Sequence, residues 1–340
     1  MRVTRLVELL SGSTATALNV LLVPIILTKS SQRIGRYKWF LLAYTLNACL
    51  LSGSQFLALP TWYIPTNGYF FISTVDSIPR WIQQVLIFGF VCGYTGNTII
   101  LTWCFLYRLA AIESTRPWII QLRHFFISLT FSILLATYII ATCTLIMPTE
   151  NVDKIFREEI LSATGIETKD VGYIGGEITK DGCLSLGMAI CLFSCAVFVF
   201  SACSTMLVCW QQIGAKLRAM RHMANCNYKF QYKLYVLLTL QTCMPIVFNI
   251  FPGFLAFLFG LFKIPCGDEI LIGASVVSFA QIFDPLFTVI LIADYKEVFV
   301  SLLRKTGRLL GMDVRNTTSK VFSTTGAPVK TSKILTTSIQ

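Results

Sequence analysis

The chain alternates between long apolar stretches and short polar segments, and this alternation predicts most of its secondary structure. Seven apolar stretches, called spans 1–7, cover residues 5–28, 39–59, 81–107, 123–147, 184–210, 234–258 and 269–292. A helix needs about 20 mainly apolar residues to cross the ~30 Å hydrocarbon core of a bilayer, so each stretch predicts a membrane-spanning helix. Span 6 contains Pro245 and Pro252, which a spanning helix tolerates where neighbouring helices satisfy the freed carbonyl groups.

The composition agrees with a membrane protein and not with a water-soluble one. Of the 340 residues, 55% are hydrophobic and 13% are charged, whereas a soluble domain carries about 25% charged residues. The net charge of +11 does not indicate nucleic-acid binding, because the basic residues lie in short clusters between the spans and not along one polar face.

The basic clusters occupy alternate loops, which gives the spans an orientation. Residues 29–38 hold four lysines and arginines and no acid, and the loop after span 5 is equally free of acids. Residues 148–183, in contrast, carry eight acids against four basic residues. By the positive-inside rule the N-terminus lies outside and the C-terminus in the cytoplasm. The sequence therefore predicts an all-α membrane protein, a seven-transmembrane-helix bundle of the G-protein-coupled receptor type.

The twelve cysteines and two histidines do not form a pattern that indicates a metal site or a catalytic site. Most of the cysteines lie inside the spans, where a thiol behaves as a small hydrophobic side chain. There is no CxxC pair, and neither His124 nor His222 lies near a cysteine cluster, so the pattern does not indicate a zinc site. We expect no metal, no cofactor and no enzymatic activity.

Span 3 ends in Tyr107-Arg108 at the predicted cytoplasmic boundary. One interpretation is the counterpart of the Asp/Glu-Arg-Tyr switch of rhodopsin-like receptors, with Tyr107 in place of the acid. Arg108 would then pair inside the resting bundle and reach a G protein when the bundle opens. The alternative is a plain anchor whose charged head extends to the membrane interface.

Several polar and aromatic residues of span 3 share a helical face with Arg108. At 100° per residue this face comprises Leu101, Asn97, Tyr94, Phe90 and Gln83. It should face the bundle interior, because polar groups are costly in hydrocarbon. We expect a ligand pocket between the outer halves of spans 3, 5, 6 and 7. The candidate lining residues are Gln83, Phe90, Tyr94, Phe251 and Phe254. Ordinary helix–helix hydrogen bonding is the alternative role for the polar members.

Span 7 carries a single carboxylate, Asp284, followed directly by Pro285. An ionisable residue at this depth is expensive, so it is a functional-site hypothesis by default. Pro285 removes a hydrogen-bond donor at the same point, and the pair predicts a polar hinge in a two-state helix. It is similar to the Asn/Asp-Pro-x-x-Tyr element of rhodopsin-like receptors, although no tyrosine follows before Tyr295. The alternative is a hydrogen-bonded aspartate that only holds helices together.

The succession of motifs resembles nematode seven-transmembrane chemoreceptors of the Str type. The matching segments are LNVLLVPIILTKSSQRIGRYKWFLL, VCGYTGNTIILTWCFLYRLAAI, LTLQTCMPIVFNIFPG and FDPLFTVILIADYKEVF, with Lys296 where the family has arginine. The resemblance implies a chemosensory receptor of the plasma membrane in sensory neuron cilia, coupled to a heterotrimeric G protein. In rhodopsin-like receptors a disulfide joins the top of span 3 to the second outer loop. Here the outer cysteines are Cys183 and Cys266, which are either bridged or free.

The predicted organisation is a receptor domain over residues 1–296, a short juxtamembrane helix over 297–310, and a disordered Ser/Thr-rich cytoplasmic tail over 311–340. The expected function is a receptor that binds a small odorant or soluble cue in the outer half of the bundle. Its expected partners are that ligand, a heterotrimeric G protein, membrane lipid and regulators of the tail. The alternative is a ligand-gated ion channel or a small-molecule transporter, although internal repeats and a path of buried charges are missing from the sequence.

Overall fold

The computed structural model describes residues 2–32, 34–65, 67–112, 122–180, 183–220, 226–262, 264 and 268–309. Within these ranges the α-helices, in chain order, are α1 (Arg2–Lys29), α2 (Tyr37–Ala58), α3 (Arg80–Ile112), α4 (Leu122–Cys143), α5 (Glu150–Ile155), α6 (Arg157–Thr164), α7 (Leu186–Met220), α8 (Cys226–Pro245), α9 (Phe251–Leu261), α10 (Asp268–Leu291) and α11 (Ala293–Leu309). A π-helical segment, Ile246–Ile250, joins α8 to α9.

Each predicted span corresponds to helix, and the seven-helix fold class is confirmed by the comparisons given below. Spans 1 to 5 are α1, α2, α3, α4 and α7; span 6 is α8, the π segment and α9; span 7 is α10. Five helical stretches of the described chain are long and apolar enough to cross a membrane, and two shorter apolar stretches, Ser132–Ile146 and Phe279–Leu291, lie in spans 4 and 7.

Small residues on α3 allow α2 to approach closely, and these two helices form the most extensive helix pair of the described bundle. Gly89 and Gly93 lie one helical turn apart on the face that α2 covers. A methyl group at Gly93 would come within 2.9 Å of the Leu51 backbone, and one at Gly89 within 2.6 Å of the Ser54 hydroxyl. Small residues have this role in membrane bundles, where close backbone packing drives association.

A three-stranded antiparallel sheet covers one end of the bundle. Its strands are β1 (Pro60–Tyr63), β2 (Gly68–Ser73) and β3 (Tyr173–Glu177), in that order across the sheet. Pro60 pairs with Ser73, and Phe71 pairs with Ile174. Two short strands, β4 (Thr179–Lys180) and β5 (Cys183–Leu184), form a second ribbon. We call the end of the bundle that these strands cover the sheet end. The opposite end, where α2 begins and α3 ends, is called the Arg108 end.

An apolar cluster holds the sheet to the helices α5 and α6, which belong to the same loop as β3. The ring of Phe70 meets the rings of Phe156 and Tyr173 edge to face, with centroids 4.9 and 5.4 Å apart. All three are buried, with Ile160 and Val171 beside them. Burial of a large aromatic side chain contributes roughly 1.5–3 kcal/mol, so the cluster stabilises the loop in place over the bundle.

The described residues from Lys296 onward belong to a second unit of the chain. α11 covers most of residues 297–310, for which a short juxtamembrane helix is predicted. The tail predicted over 311–340, and Cys266, lie outside the described residues, as does the side chain of Cys183. The Cys183–Cys266 bridge therefore stays a prediction.

Candidate functional site

A cavity of about 700 Å³ lies under the sheet, between α3, α7 and α9. Ligand pockets for small molecules have volumes of roughly 300–1,000 Å³. Its outer wall comes from the sheet, through residues such as Trp62, Tyr69 and Phe71. Its polar lining includes the amides of Gln55 and Asn249, and none of the described residues that line it carries a charge. The cavity therefore suits an uncharged, mostly apolar molecule.

Three of the five predicted pocket residues line this cavity together: Phe90 and Tyr94 from α3, and Phe254 from α9. The helical face of α3 that the sequence placed inside the bundle brings the first two there. The ring of Phe90 also packs on Phe71 of β2, with centroids 5.0 Å apart, so the sheet and α3 support each other at the cavity wall.

The other two predicted pocket residues, Gln83 and Phe251, are not among the residues that line this cavity. Gln83 is buried, but its amide is engaged with the loop before β3 and not with the cavity. Phe251 lies outside the lining and is 59% exposed on the surface of the bundle. Phe251 follows a π-helical segment, whose wider turn changes the face that later residues present.

Two neighbouring glutamines of α3 fasten the sheet to the bundle. Gln83 Oε1 accepts a hydrogen bond from the Gly172 amide at 2.7 Å, while its Nε2 donates to the carbonyls of Ile78 and Asp170. Gln84 Oε1 accepts from the Tyr173 amide at 3.2 Å, and its Nε2 donates to the Tyr173 carbonyl at 2.8 Å. We call this pair the glutamine clamp. It joins span 3 to the 148–183 loop without a covalent bond.

An ion pair beside the clamp joins the same two parts of the chain. Arg80, at the start of α3, donates two hydrogen bonds to the Asp153 carboxylate, at 2.9 and 3.0 Å. The Tyr173 hydroxyl donates to the same carboxylate at 2.7 Å. Burial and the Asp153 carboxylate raise the pKa of Tyr173 well above its usual value, so this hydroxyl keeps its proton at physiological pH. Such charge-assisted bidentate pairs are among the stronger hydrogen bonds of proteins.

A second, much smaller cavity of about 40 Å³ lies deeper in the bundle. That volume is enough for one or two water molecules. Its polar lining includes Tyr44, Asn97, Gln281 and Asp284. Five residues line both this polar cavity and the large one: Tyr94, Val199, Cys203, Asn249 and Ile250. The two cavities are therefore stacked, with a shared partition of side chains.

Asp284 is the centre of the polar cavity. It is buried, and its Oδ2 accepts a hydrogen bond of 2.6 Å from the Tyr44 hydroxyl of α2. Its Oδ1 has no hydrogen-bond partner among the described side chains. A buried carboxyl oxygen without a partner is costly, so the folded bundle must offset the free energy of this unpaired atom elsewhere. α10 continues as a helix through Pro285.

Amide pairs extend the polar network to either side of Asp284. Asn47 of α2 donates to Asn97 of α3 at 2.8 Å, and Gln281 of α10 donates to Gln55 of α2. Towards the Arg108 end, Gln241 of α8 donates to the hydroxyl of Thr288 at 3.4 Å. These hydrogen bonds thus link α2 with α3, α2 with α10, and α8 with α10. Inside a membrane such bonds fix the relative positions of helices, because the alternative is an unsatisfied polar group.

Arg108 lies buried at the end of α3, and its guanidinium does not extend to the surface of the described bundle. Its guanidinium carbon lies 3.7 Å from the centroid of the Tyr37 ring, and Nη1 donates to Gln231 Oε1 of α8 at 3.0 Å. Nε and Nη2 find no partner among the described residues. Tyr107 packs on Phe40 and Tyr37 of α2, with centroids 4.9 and 6.1 Å away. The arginine therefore joins α2, α3 and α8.

Three residues that this site depends on were not identified from the sequence: Tyr37, Tyr44 and Gln231. The first two lie on a buried stripe of α2 spaced three and four residues apart, so the helical-face argument used for α3 could have found them. Gln231 lies before the apolar stretch of span 6, in a segment that hydropathy marks as a polar loop, and no such signal was available for it.

Among the described residues, no group of three or more histidine, cysteine or acidic side chains is placed to hold a metal ion. No curated protein matches the chain in sequence. A solved structure, the crystal structure of squid rhodopsin, matches with a TM-score of 0.58 over 96% of this chain and 91% of that chain, at 12% identity. At this identity the likeness shows the fold alone, a seven-helix receptor bundle.

The family model described as "Serpentine type 7TM GPCR chemoreceptor Str" matches residues 4–300, which is nearly the whole of the receptor domain. The resemblance that the succession of motifs carried is thereby confirmed, and the chain is a multi-pass membrane protein with a receptor-like seven-helix fold. The chain belongs to the Str family of serpentine seven-transmembrane chemoreceptors.

Proposed function

We propose that this receptor binds a small uncharged odorant or soluble cue in the large cavity and activates a heterotrimeric G protein at the Arg108 end. The observation that carries the proposal is the stacking of the two cavities. A molecule in the large cavity would touch Tyr94 and Asn249, and the same two residues line the polar cavity that contains Asp284. Binding is thereby connected to the centre of the bundle through one layer of side chains.

Span 6 contains the segment that would change its conformation when a ligand binds in the large cavity. Asn249 and Ile250 belong to the π segment, which is bordered by Pro245 and followed by Pro252 in the first turn of α9. π segments and prolines are the usual places where a helix bends, because the regular hydrogen-bond ladder is interrupted there. A ligand that favours a different bend of span 6 would move α8 relative to α3, in the manner of other two-state helix pairs.

At the Arg108 end, the closed arrangement is held by the guanidinium between Tyr37 and Gln231. Movement of α8 away from α3 would break the bond to Gln231 and open a space beside Arg108. The released guanidinium would then be available to carbonyl or carboxylate groups of a G protein. Arg108, Tyr107, Asp284 and Pro285 are in this proposal the switch residues.

The distribution of charges supports a plasma-membrane receptor with its sheet end outside. Basic residues such as Lys29, Lys216 and Lys229 lie at the Arg108 end, whereas the described acids of the 148–183 loop lie at the sheet end. Placement in sensory neuron cilia and regulation through the 311–340 tail follow from the family as proposals. Phosphorylation of that Ser/Thr-rich tail would add the charge that regulators recognise.

The test is a G-protein readout in cells that express the receptor, screened against small neutral volatiles and soluble metabolites. Arg108→Ala and Asp284→Asn should abolish or strongly reduce the response at equal surface level. Arg157→Ala removes an exposed arginine at the sheet end and should leave it unchanged. An agonist-evoked current that persists without any G protein would refute the coupling and favour the channel alternative.

A further inference from the structure

We propose that the ligand enters the large cavity from the bilayer, through a gap between α7 and α9, and is therefore a neutral lipophilic molecule. This inference rests on the proposed function, because it concerns the ligand of the same cavity. It adds a route and a chemical class, and both follow from where the cavity meets the surface of the bundle.

The exposed part of the cavity lining marks the opening. Among the described lining residues, Ala196, Phe200 and Phe254 are exposed, and the others are buried or half-buried. Phe200 is 75% exposed and Phe254 is 57% exposed. Ala196 and Phe200 lie one turn apart on α7, and Phe254 lies on α9, so all three border the space between these two helices.

The opening lies at membrane depth and not at an aqueous end. At 1.5 Å per residue, Ala196 and Phe200 are about 15 and 21 Å along α7 from its first residue, Leu186. α7 is long and apolar enough to cross a membrane over Leu186–Met220, so both positions fall within the spanning part of the helix. α7 packs mainly on α3, α4 and α8, whereas α9 packs on the π segment, β2 and α10. α7 and α9 are therefore not a main packing pair, and the exposed lining residues lie on their facing sides, where lipid chains would reach.

On the side of the sheet, the described residues close the cavity. A methyl group at Gly260 of α9 would come within 2.7 Å of Ile178 and 3.1 Å of Ile64, so the end of α9 is pressed against the loops of the sheet. Trp62 of β1 packs in the same way over Gly253. The glutamine clamp and the Arg80–Asp153 pair hold this cover to α3.

The lining agrees with a ligand that dissolves in lipid. Its walls are apolar and aromatic, and its polar groups are mostly amides, thiols and the tyrosine hydroxyls, without a charged side chain among the described members. A charged ligand would lose its hydration without gaining a partner, which is strongly unfavourable. A neutral ligand that is already partitioned into the bilayer pays little of that cost.

The rate at which native cysteine thiols are chemically labelled can test this entry route before the ligand is known. Cys195 and Cys203 line the cavity, whereas Cys243 is exposed on α8 and lies outside the lining. The purified receptor in lipid nanodiscs would be treated either with N-phenylmaleimide, which is neutral and lipophilic, or with a sulfonated maleimide. Thiol addition would be followed site by site by mass spectrometry, with Cys243 as the internal reference for the lipophilic reagent.

Two variants change the width of the gap in opposite directions. Ala196→Trp should block it and slow the labelling of Cys195 and Cys203 by N-phenylmaleimide about tenfold, whereas Phe200→Ala should widen it and speed the labelling. Val197→Trp is the matched control, because Val197 is 52% exposed on the same helix but does not line the cavity. It should leave the labelling rate within about a factor of two of the wild type.

Three results would overturn the proposal: equal labelling of the cavity thiols by the two reagents, equal rates in the Ala196→Trp and Val197→Trp variants, or labelling of Cys243 alone. None of these depends on a G protein. A receptor that is labelled as expected but never signals would therefore refute the proposed function and leave the entry route standing.

Discussion

Replacement of Gln231 by leucine tests whether the contact between α8 and Arg108 holds the resting receptor closed. Leucine has nearly the same length and volume as glutamine and no acceptor, so the variant removes the 3.0 Å bond to Nη1 with little change in packing. The guanidinium would keep its contact with the Tyr37 ring but lose its described partner on α8. We expect the equilibrium between closed and open bundles to shift towards the open form.

The size of the shift follows from the bond. A hydrogen bond to a charged group contributes about 1.5–3 kcal/mol, and the lower figure applies because Gln231 is only half-buried. Since about 1.4 kcal/mol corresponds to a factor of ten, the open population should rise about tenfold. A receptor that is open in ~1% of molecules at rest would thus become open in ~10%.

The assay is ligand-independent G-protein activation, normalised to receptor at the cell surface. Gln212→Leu is the matched control: it makes the same chemical change at an exposed position of α7 near the same end of the bundle. Basal activity in Gln231→Leu equal to that of the wild type, at equal surface level, would show that this bond does not hold the closed state.

Three further predictions concern the polar cavity and the sheet. Tyr44→Phe removes the 2.6 Å bond to Asp284 and should lower the free energy of unfolding by about 1–3 kcal/mol, measured by thermal unfolding in detergent. Gly175→Ala should strongly reduce surface delivery, because φ is +146° and a methyl group would overlap the β2 backbone; Gly176→Ala, with open space around it, should not. Arg80→Leu breaks a half-buried ion pair and should cost about 1 kcal/mol of stability, less in high salt.

The helices could be predicted because bilayer thickness sets a minimum apolar length, and that length is visible in the sequence. Their ends were predicted less well. Span 5 was placed at 184–210, but α7 continues to Met220 through polar residues such as Gln211 and Lys216. Hydropathy detects where the membrane ends, whereas a helix ends only where its backbone hydrogen bonds do, so polar extensions into water are missed.

The sheet was not predicted, although a signal for part of it is present. The segment 60–73, PTWYIPTNGYFFIS, consists of two runs rich in aromatic and β-branched residues around an Asn-Gly pair. Such a pattern is typical of a hairpin, and β1 and β2 form one. The third strand could not be found in this way, because β3 contains two glycines and comes about a hundred residues later. It pairs with β2 along its length and is held to α3 by the glutamine clamp, and both contacts join residues far apart in the sequence.

In the candidate site, too, features of a single helix differ from contacts between helices in how well the sequence predicts them. Regular helical spacing brings Phe90 and Tyr94 to the same cavity, because α3 is one uninterrupted helix from Arg80 to Ile112. No spacing argument was available for Phe251, which was named only as an aromatic residue of span 6 and follows a π segment. The pairing of Asp284 with Tyr44 joins positions 240 residues apart, and nothing local to either residue specifies it. Chemistry on a single helix was accessible from the sequence, whereas contacts between helices were not.

The stacked cavities connect two measurements that would otherwise be independent. If Gln231→Leu raises the open population and the ligand favours the open form, the apparent affinity of an agonist must rise by a comparable factor, because the competent fraction enters the apparent Kd directly. By the same linkage, a ligand that binds beside Asn249 must weaken the contact between Arg108 and Gln231. A variant with about tenfold higher basal activity but unchanged agonist potency would mean that the cavity under the sheet and the Arg108 end belong to separate equilibria. In that case the shared partition of the two cavities would not be the path of coupling.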